Sequence, residues 1–164
     1  MRPFFNGLLS HKSYSSGDQP FKNIIDTTAK SFLELVKIPI IKRIGLRYID
    51  EGPIPENNTA LFLNHYNTAF PLQRFSLEQS EEMSFETVVQ RDAHKLRYKE
   101  SLKGNPGEQK LILDFDAWAE NINSTELLKV ADELHHILWQ EFRDTVKEPI
   151  LEYMRESTED SNNG

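Results

Sequence analysis

The chain has 164 residues, of which 38% are hydrophobic and 27% are charged. This length and balance are typical of one folded domain rather than of a disordered polyampholyte, and they argue against a second domain of similar size. The sequence contains no cysteine, which excludes disulfides, thiolate zinc sites and cysteine nucleophiles.

The formal net charge of −7 at pH 7 comes from the C-terminal part of the chain. Residues 1–116 contain 15 Lys or Arg and 15 Asp or Glu, whereas residues 117–164 contain 4 and 11. Phosphate groups need local positive charge, so the acidic C-terminal part disfavours wrapping by nucleic acid. No apolar run reaches the length of a secretory signal core or of a membrane span. We therefore expect a cytoplasmic protein without a membrane segment.

Composition along the chain predicts one domain with a tail at each end. Residues 1–20 are rich in Ser, Gly and Asn and show no sustained period, which predicts a flexible or atypical N-terminal tail. Residues 21–156 carry the periodic segments and predict a single domain. Residues 157–164, STEDSNNG, predict a frayed C-terminal tail.

The first half of the domain predicts a helix followed by a strand. Apolar residues recur at helical spacing over 22–36, and Pro39 predicts the end of that helix. Side chains alternate in residues 41–50, which predicts a strand with one buried face. Its apolar side contains Ile44, Leu46 and Tyr48, and its other side contains Arg43, Gly45 and Arg47. Residues 51–58 have turn chemistry, and residues 59–67 leave a short helix and a strand both open.

The second half predicts short extended runs followed by a long helix. We expect extended segments over 70–78, 84–92 and 94–102, joined as antiparallel hairpins, and a further strand over 110–118. Apolar residues then recur at helical spacing over 124–147, after a capping position at Asn123. The predicted fold is α+β: an antiparallel sheet of about four or five strands, packed by a long C-terminal helix and an N-terminal helix.

Three segments carry a family resemblance. They are RIGLRYID at 43–50, LILDFDAW at 111–118 and LHHILWQEFRD at 134–144. Together they resemble a sporadically distributed family of uncharacterised bacterial proteins with R-x-G-L-R-Y-I-N and L-D-[IV]-D blocks. The resemblance implies a longer parent domain with an additional N-terminal strand, so this chain looks like a shortened member in which Asp50 replaces the usual Asn. The sporadic distribution of the family suggests a bacterial defence or mobile-element context.

Two aspartates form the first candidate site. Asp114 and Asp116 lie two positions apart on a predicted strand, so both carboxylates point to one face, about 7 Å apart. Such a pair can hold a divalent cation or divide the roles of acid and base, which would make the chain a metal-dependent hydrolase or nuclease. A metal site needs a third ligand, for which Glu120 and Glu100 are the available guesses. The pattern alone indicates no cofactor.

Two arginines suggest a different use of the same aspartates. Arg43 and Arg47 also share one strand face, and if the two strands are neighbours the four charges can form a cross-strand ion ladder. We prefer this interpretation and treat Arg43, Arg47, Asp114 and Asp116 as one candidate functional face. Gly45 between the arginines fits both interpretations, because a strand glycine lets another group approach closely.

A basic strand face leaves a third function open. Lys95, Arg97 and Lys99 alternate with apolar residues, and Arg97 could join Arg43 and Arg47 in binding phosphate or RNA. The sequence contains no Gly-rich phosphate loop and no H-E-x-x-H or G-x-S-x-G motif. Taken together, these features favour a non-enzymatic module that binds a protein partner, with the hydrolase and the phosphate or RNA binder as alternatives.

Overall fold

The domain combines one antiparallel sheet with helices on one of its faces. The computed structural model describes residues 20–54, 56–104 and 109–153. In chain order the helices and strands are α1 (Pro20–Leu35), β1 (Ile40–Pro53), α2 (Thr59–His65), β2 (Met83–Arg91), β3 (His94–Lys103), β4 (Lys110–Asn123) and α3 (Leu127–Thr145). Residues 148–153 are also helical. Pro149 thus lies in the first turn of a short helix, where its missing N–H costs nothing.

The four strands are arranged in the order β1-β4-β3-β2, and every neighbouring pair is antiparallel. β2 and β3 form a hairpin through a tight turn at Asp92, whose φ of 50° is left-handed. β1 and β4 are far apart in sequence but pair along 14 residues each. The predicted α+β class, with an antiparallel sheet and both helices, is therefore confirmed. The first and last strands are neighbours, which is the condition that the ion ladder required.

The hydrophobic core lies between the sheet and α3. Alternation along each strand sends one set of side chains to this side, which we call the core face. The core-face and helix side chains that pack together include Leu96, Leu102, Leu111, Leu113, Phe115, Ala117, Leu134 and Leu138, with Ile44, Leu46 and Tyr48 partly buried at the edge. The apolar sides predicted for residues 41–50 and 110–118 are both on this face.

Helix α1 packs against the start of α3. The Lys22 Nζ atom lies 2.8 Å from Asp132 Oδ2, and a groove between the helices is lined by Ala29 and Leu33 on one side and by Leu127 and Leu128 on the other. The opposite side of α1 leaves apolar side chains exposed, namely those of Ile24, Phe32 and Leu35.

Among the residues described, no helix combines the length and apolar character needed to cross a membrane.

β1 is longer than the sequence predicted. The segment expected to turn after residue 50 continues the strand through Gly52 and Pro53, which pair with Leu111 and Lys110. Glycine is required here because a Cβ at position 52 would stand 2.5 Å from the Tyr66 hydroxyl oxygen. That hydroxyl donates a hydrogen bond to the Pro53 carbonyl over 2.8 Å.

Within residues 59–67, for which the sequence left a helix and a strand open, Thr59–His65 form the short helix α2. The Asn58 side chain caps this helix by accepting a hydrogen bond from the Leu61 N–H.

The extended run predicted over 70–78 is wrong. Pro71 instead begins a turn, in which its carbonyl accepts hydrogen bonds from Arg74 N and Phe75 N. A short 3₁₀ helix, Leu77–Gln79, follows. The apolar residues that suggested a strand lie in an irregular segment, but their side chains are buried. Phe70, Leu72 and Leu77 all belong to the core. The other two predicted runs are β2 and β3.

The long helix begins later and ends earlier than predicted. Residues 124–126 form a 3₁₀ turn, and the Asn123 side chain accepts from Thr125 N rather than completing a capping box with Glu126. Val146, predicted within the helix, forms a bridge with Tyr66. The tails predicted over residues 1–20 and 157–164 lie outside the described residues, apart from residue 20, which begins α1.

Candidate functional site

The candidate residues lie together on the face of the sheet opposite α3, which we call the outer face. The register places Arg47 opposite Asp116 on β4, and Asp116 opposite Arg97 on β3. Two residues earlier on β4, Asp114 lies between Ile49 of β1 and Lys99 of β3. The charged side chains of the outer face in this region are those of Arg43, Arg47, Glu86, Lys95, Arg97, Lys99, Asp114, Asp116 and Glu120. The fold thus brings Arg43, Arg47, Arg97, Asp114 and Asp116 to one surface.

Asp114 is the centre of the ion pairs on this face. Arg47 binds it with two hydrogen bonds, from Nε to Oδ1 and from Nη2 to Oδ2, both of 2.7 Å. Arg97 approaches the same oxygens from the other side, at 3.3 and 3.4 Å. Burial of Asp114 opposes its ionisation, but the hydrogen bonds from Arg47 and the charges of Arg47, Arg97 and Lys99 outweigh it and hold the pKa of Asp114 below its ordinary value. The same hydrogen bonds raise the pKa of Arg47.

Asp116 is held more loosely. Its nearest cationic group is Arg43, with Nη2 at 3.6 Å from Oδ2, and it forms no bidentate pair like that of Asp114. Burial raises the pKa of the Asp116 carboxyl, and the charges of Arg43, Arg97 and Arg47 offset this only in part. The ion ladder expected from the sequence is therefore present but uneven. We call the Arg47–Asp114 pair the tight rung and the Arg43–Asp116 pair the loose rung.

Trp118 lies beside the loose rung. The Arg43 guanidinium carbon is 5.0 Å from the Trp118 ring centroid, and Lys95 Nζ is 6.0 Å from it, so the indole has a cation from each neighbouring strand nearby. Gly45 stands directly opposite Trp118. A Cβ on Gly45 would be 3.4 Å from the Trp118 Cβ and 3.4 Å from the Ala117 carbonyl oxygen. These are snug but ordinary contacts, so the glycine leaves a shallow open position next to the indole.

The geometry around the two aspartates does not assemble a metal site from the described residues. No group of three or more His, Asp or Glu in these ranges is placed to hold an ion. Of the two guesses for a third ligand, Glu120 is bound by Lys95 at 3.0 Å. Glu100 lies on the core face, buried beneath the sheet. A cation at Asp114 would also have to displace Arg47 and Arg97.

The candidate anion-binding arginines are similarly engaged. Arg47 and Arg97 share Asp114, and Arg43 is divided between Asp116 and Trp118. Nearby, Lys99 faces Glu86 at 3.5 Å. Counting these nine side chains, five cations face four carboxylates, so the face is nearly neutral and concentrates little positive potential on a phosphate.

Glu100 is the main polar feature of the core face, and sequence reasoning named it only as a guess for a metal ligand and missed this role. Its carboxylate is fully buried and accepts hydrogen bonds from Ala69 N at 2.6 Å, Thr68 Oγ1 at 2.9 Å and the Tyr98 hydroxyl at 3.2 Å. Burial raises the pKa of Glu100, and these hydrogen bonds offset part of the effect. The alternation of β3 could have revealed it, because Glu100 has the same phase as Leu96, Tyr98 and Leu102.

A cavity of about 280 Å³ opens next to this cluster, between β2, β3 and the end of α3. Phe85 and Tyr98 form part of its wall. Two of its charged groups pair with each other, since Arg91 Nη2 lies 3.3 Å from Glu141 Oε2. Burial raises the pKa of Tyr98, which keeps its hydroxyl protonated as a donor to Glu100. The arrangement therefore ties residues 68–69 to β3 rather than presenting a free nucleophile.

The free edge of β1 is the remaining feature of the site. Within the part of the chain that the structure describes, β1 is the outermost strand on its side of the sheet, and only one of its two backbone edges is paired, with β4. Two of its apolar side chains are exposed, Ile40 at 57% and Ile49 at 43%. The other outermost strand, β2, is shorter, with nine residues, and exposes Val88.

Comparisons of this chain with protein-family models, with curated proteins and with solved structures found no match.

Proposed function

We propose that this chain is a non-enzymatic protein-interaction module that binds an extended segment of a partner along the free edge of β1. The observation that carries the proposal is the position of β1, a strand of 14 residues at the end of the sheet order. Alternate residues of such a strand direct their N–H and C=O groups away from the sheet, and an added strand can pair with them.

The side chains of β1 suit this role. A partner strand gains affinity from main-chain hydrogen bonds and specificity from the side chains that it meets. On the outer face these are the exposed Ile49, the open position at Gly45 and the half-exposed Arg43. Natural edge strands usually carry features that prevent pairing. In β1 such features lie towards the ends, at Lys42 and Pro53, and residues 43–49 between them contain neither Lys nor Pro.

The paired state of the outer face favours this proposal over the two alternatives. A hydrolase or nuclease needs Asp114 free to bind a cation, but Arg47 holds both of its oxygens. A phosphate or RNA site needs local excess positive charge, but Arg47 and Arg97 both direct their guanidinium groups at the same aspartate, which offsets much of that charge. Binding along β1 leaves the tight rung intact.

Site-specific photo-crosslinking in the cells that produce the chain tests the proposal. A benzophenone amino acid replaces Ile49 in one variant and Val88 in the control, since both side chains are exposed and lie on the outer face of outermost strands. We expect a protein adduct from position 49 and none from position 88. The adduct should persist with chelator and with nuclease. Equal adducts at both positions, or an adduct lost on nuclease treatment, would refute binding along β1.

A further inference from the structure

The partner that fits the free edge of β1 best is a second copy of this chain. We infer that two β1 strands pair antiparallel about a two-fold axis, joining two four-stranded sheets into one continuous sheet. This inference rests on the proposed function, because it names the occupant of the same edge. A two-fold interface requires a surface that complements itself, and the charges and shape of β1 meet that requirement when Arg47 lies on the axis.

The register is restricted by backbone geometry. Directly opposed residues in an antiparallel pair have side chains on the same face and backbone groups turned the same way. Two copies of β1 can therefore meet only with opposed residues an even number of positions apart. The register that centres Arg47 on the two-fold axis places Arg43 opposite Glu51 and Gly45 opposite Ile49.

Charge complementarity supports this register. Arg43 and Glu51 are both on the outer face of β1, at opposite ends of the strand. Pairing the strands antiparallel brings Arg43 of each copy to Glu51 of the other, so the contact forms twice. The current partners are weakly held, since Arg43 is 3.6 Å from Asp116, and Glu51 pairs with Lys110 where both side chains are at least 60% exposed. Exposed pairs of this kind exchange at little cost.

Shape complementarity supports the same register. Ile49 of each copy falls opposite Gly45 of the other, where no side chain stands in its way. The exposed isoleucine would then cover the shallow position next to Trp118, which removes apolar surface from water twice per dimer. Moving the register by one allowed step sets Arg43 opposite Ile49 or opposite Pro53, and both favourable contacts are lost.

The ion ladder removes the main obstacle to this pairing. Centring the interface on Arg47 brings two arginines together across the axis, and directly opposed like charges are destabilising. Each Arg47 is already bound to Asp114 of its own copy by two hydrogen bonds of 2.7 Å, which neutralises it and draws its guanidinium towards β4. The tight rung therefore prepares the edge for a second copy.

Charge reversal tests the inference with the full chain. We expect the unmodified chain to be a dimer by sedimentation across a concentration series. Arg43→Glu and Glu51→Arg should each weaken dimerisation about tenfold or more, because each creates two like-charge contacts. An equimolar mixture of the two variants should recover the dimer, since both contacts are complementary between them. The double variant should also recover it.

The matched control reverses a charge on the outer face away from β1. Glu86→Lys disrupts a comparable pair, with Lys99 at 3.5 Å, and should leave dimerisation unchanged. Because the sequence has no cysteine, single cysteines can report the register. Arg47→Cys should form a disulfide with its copy, as the Cα atoms of opposed residues lie about 5 Å apart. Ile49→Cys should not, because its copies are four positions apart, about 13 Å along the strand.

The outcomes separate the inference from the function on which it rests. A monomeric chain that still gives a crosslink from position 49 to a different protein would overturn the second copy and keep binding along β1. A monomeric chain without any crosslink from position 49 would overturn both. A dimer that forms equally well in every charge-reversed variant, or that oxidises more readily through Ile49→Cys, would overturn the proposed register and the inference with it.

Discussion

The two faces of the sheet satisfy their buried carboxylates in different ways. On the outer face, Asp114 is bound by two arginines, whereas on the core face Glu100 is bound by an amide and two hydroxyls. The arginines lower the pKa of Asp114, and burial raises the pKa of Glu100. The outer-face arginines are partly exposed to water, so they can leave one carboxylate and bind another. The donors to Glu100 are held inside the fold, so they cannot change partners.

This difference predicts different roles for the two faces, one in stability and one in binding. The core-face cluster fixes the segment after α2 to β3, so its loss should appear as lost stability. The outer-face pairs adjust the charge along an edge that remains open, so their loss should appear mainly in binding. Substitutions on each face therefore test this difference through the size of their effect on the free energy of unfolding.

Replacing Glu100 should have the largest effect. Glu100→Ala leaves the Ala69 N–H and the Thr68 and Tyr98 hydroxyls without the buried carboxylate that accepts their hydrogen bonds. We expect a loss of about 3 kcal/mol in the free energy of unfolding, measured by urea titration. Glu86→Ala, on the exposed side of β2, serves as the control and should change it by less than about 0.5 kcal/mol. Similar losses for both variants would break the distinction between the faces.

The two glycines of β1 give a second comparison. At Gly52, on the core face, a methyl group would meet the buried Tyr66 ring, with its oxygen only 2.5 Å away. Gly52→Ala should therefore cost about 2 kcal/mol, because a packed core must shift to admit it. At Gly45, on the outer face, the nearest contacts are 3.4 Å, and Gly45→Ala should change stability by less than about 0.5 kcal/mol. Thermal unfolding of both variants measures the contrast, and a larger loss at Gly45 would contradict it.

Alternation along the strands was sufficient to predict which residues share a face. Ile44, Leu46 and Tyr48 point to the core and Arg43 and Arg47 away from it, as the period of two requires. Alternation could not predict which rung would be tight. Arg47 stands opposite Asp116 but binds Asp114, because its long side chain reaches diagonally. Nor could it place Arg97 at Asp114, since that contact depends on β3 lying on the far side of β4.

The wrong prediction over 70–78 has a related cause. Sequence alternation reports which residues are buried, and in this segment burial is real at Phe70, Leu72 and Leu77. The backbone reaches those positions through a turn at Pro71 instead of through a strand. Whether a buried short segment is extended depends on what it packs against, which the local pattern does not contain.

Asp114→Asn should have a smaller effect than either core-face change. It removes the charge that Arg47 and Arg97 share, but Arg47 is half exposed and water can replace part of the bond. We expect a loss of about 1 kcal/mol at neutral pH, smaller at high salt. Because the pKa of Asp114 is lower in the folded state, its stabilisation is present above the unfolded pKa of about 4 and is lost as the pH falls through the folded pKa. A loss independent of pH and salt would argue against an ionic origin.

The smallest expected effect is a gain, at Asp50. This half-buried carboxyl is on the core side of β1, and burial raises its pKa. Its folded state thus holds the proton more tightly than its unfolded state, so the penalty for ionising it grows as the pH rises from the unfolded pKa through the folded pKa. Asp50→Asn should raise the free energy of unfolding at pH 7 by less than about 1 kcal/mol, and the gain should vanish near pH 4. Unfolding curves at both pH values measure this, and a gain that persists at pH 4 would mean that burial of the charge is not its cause.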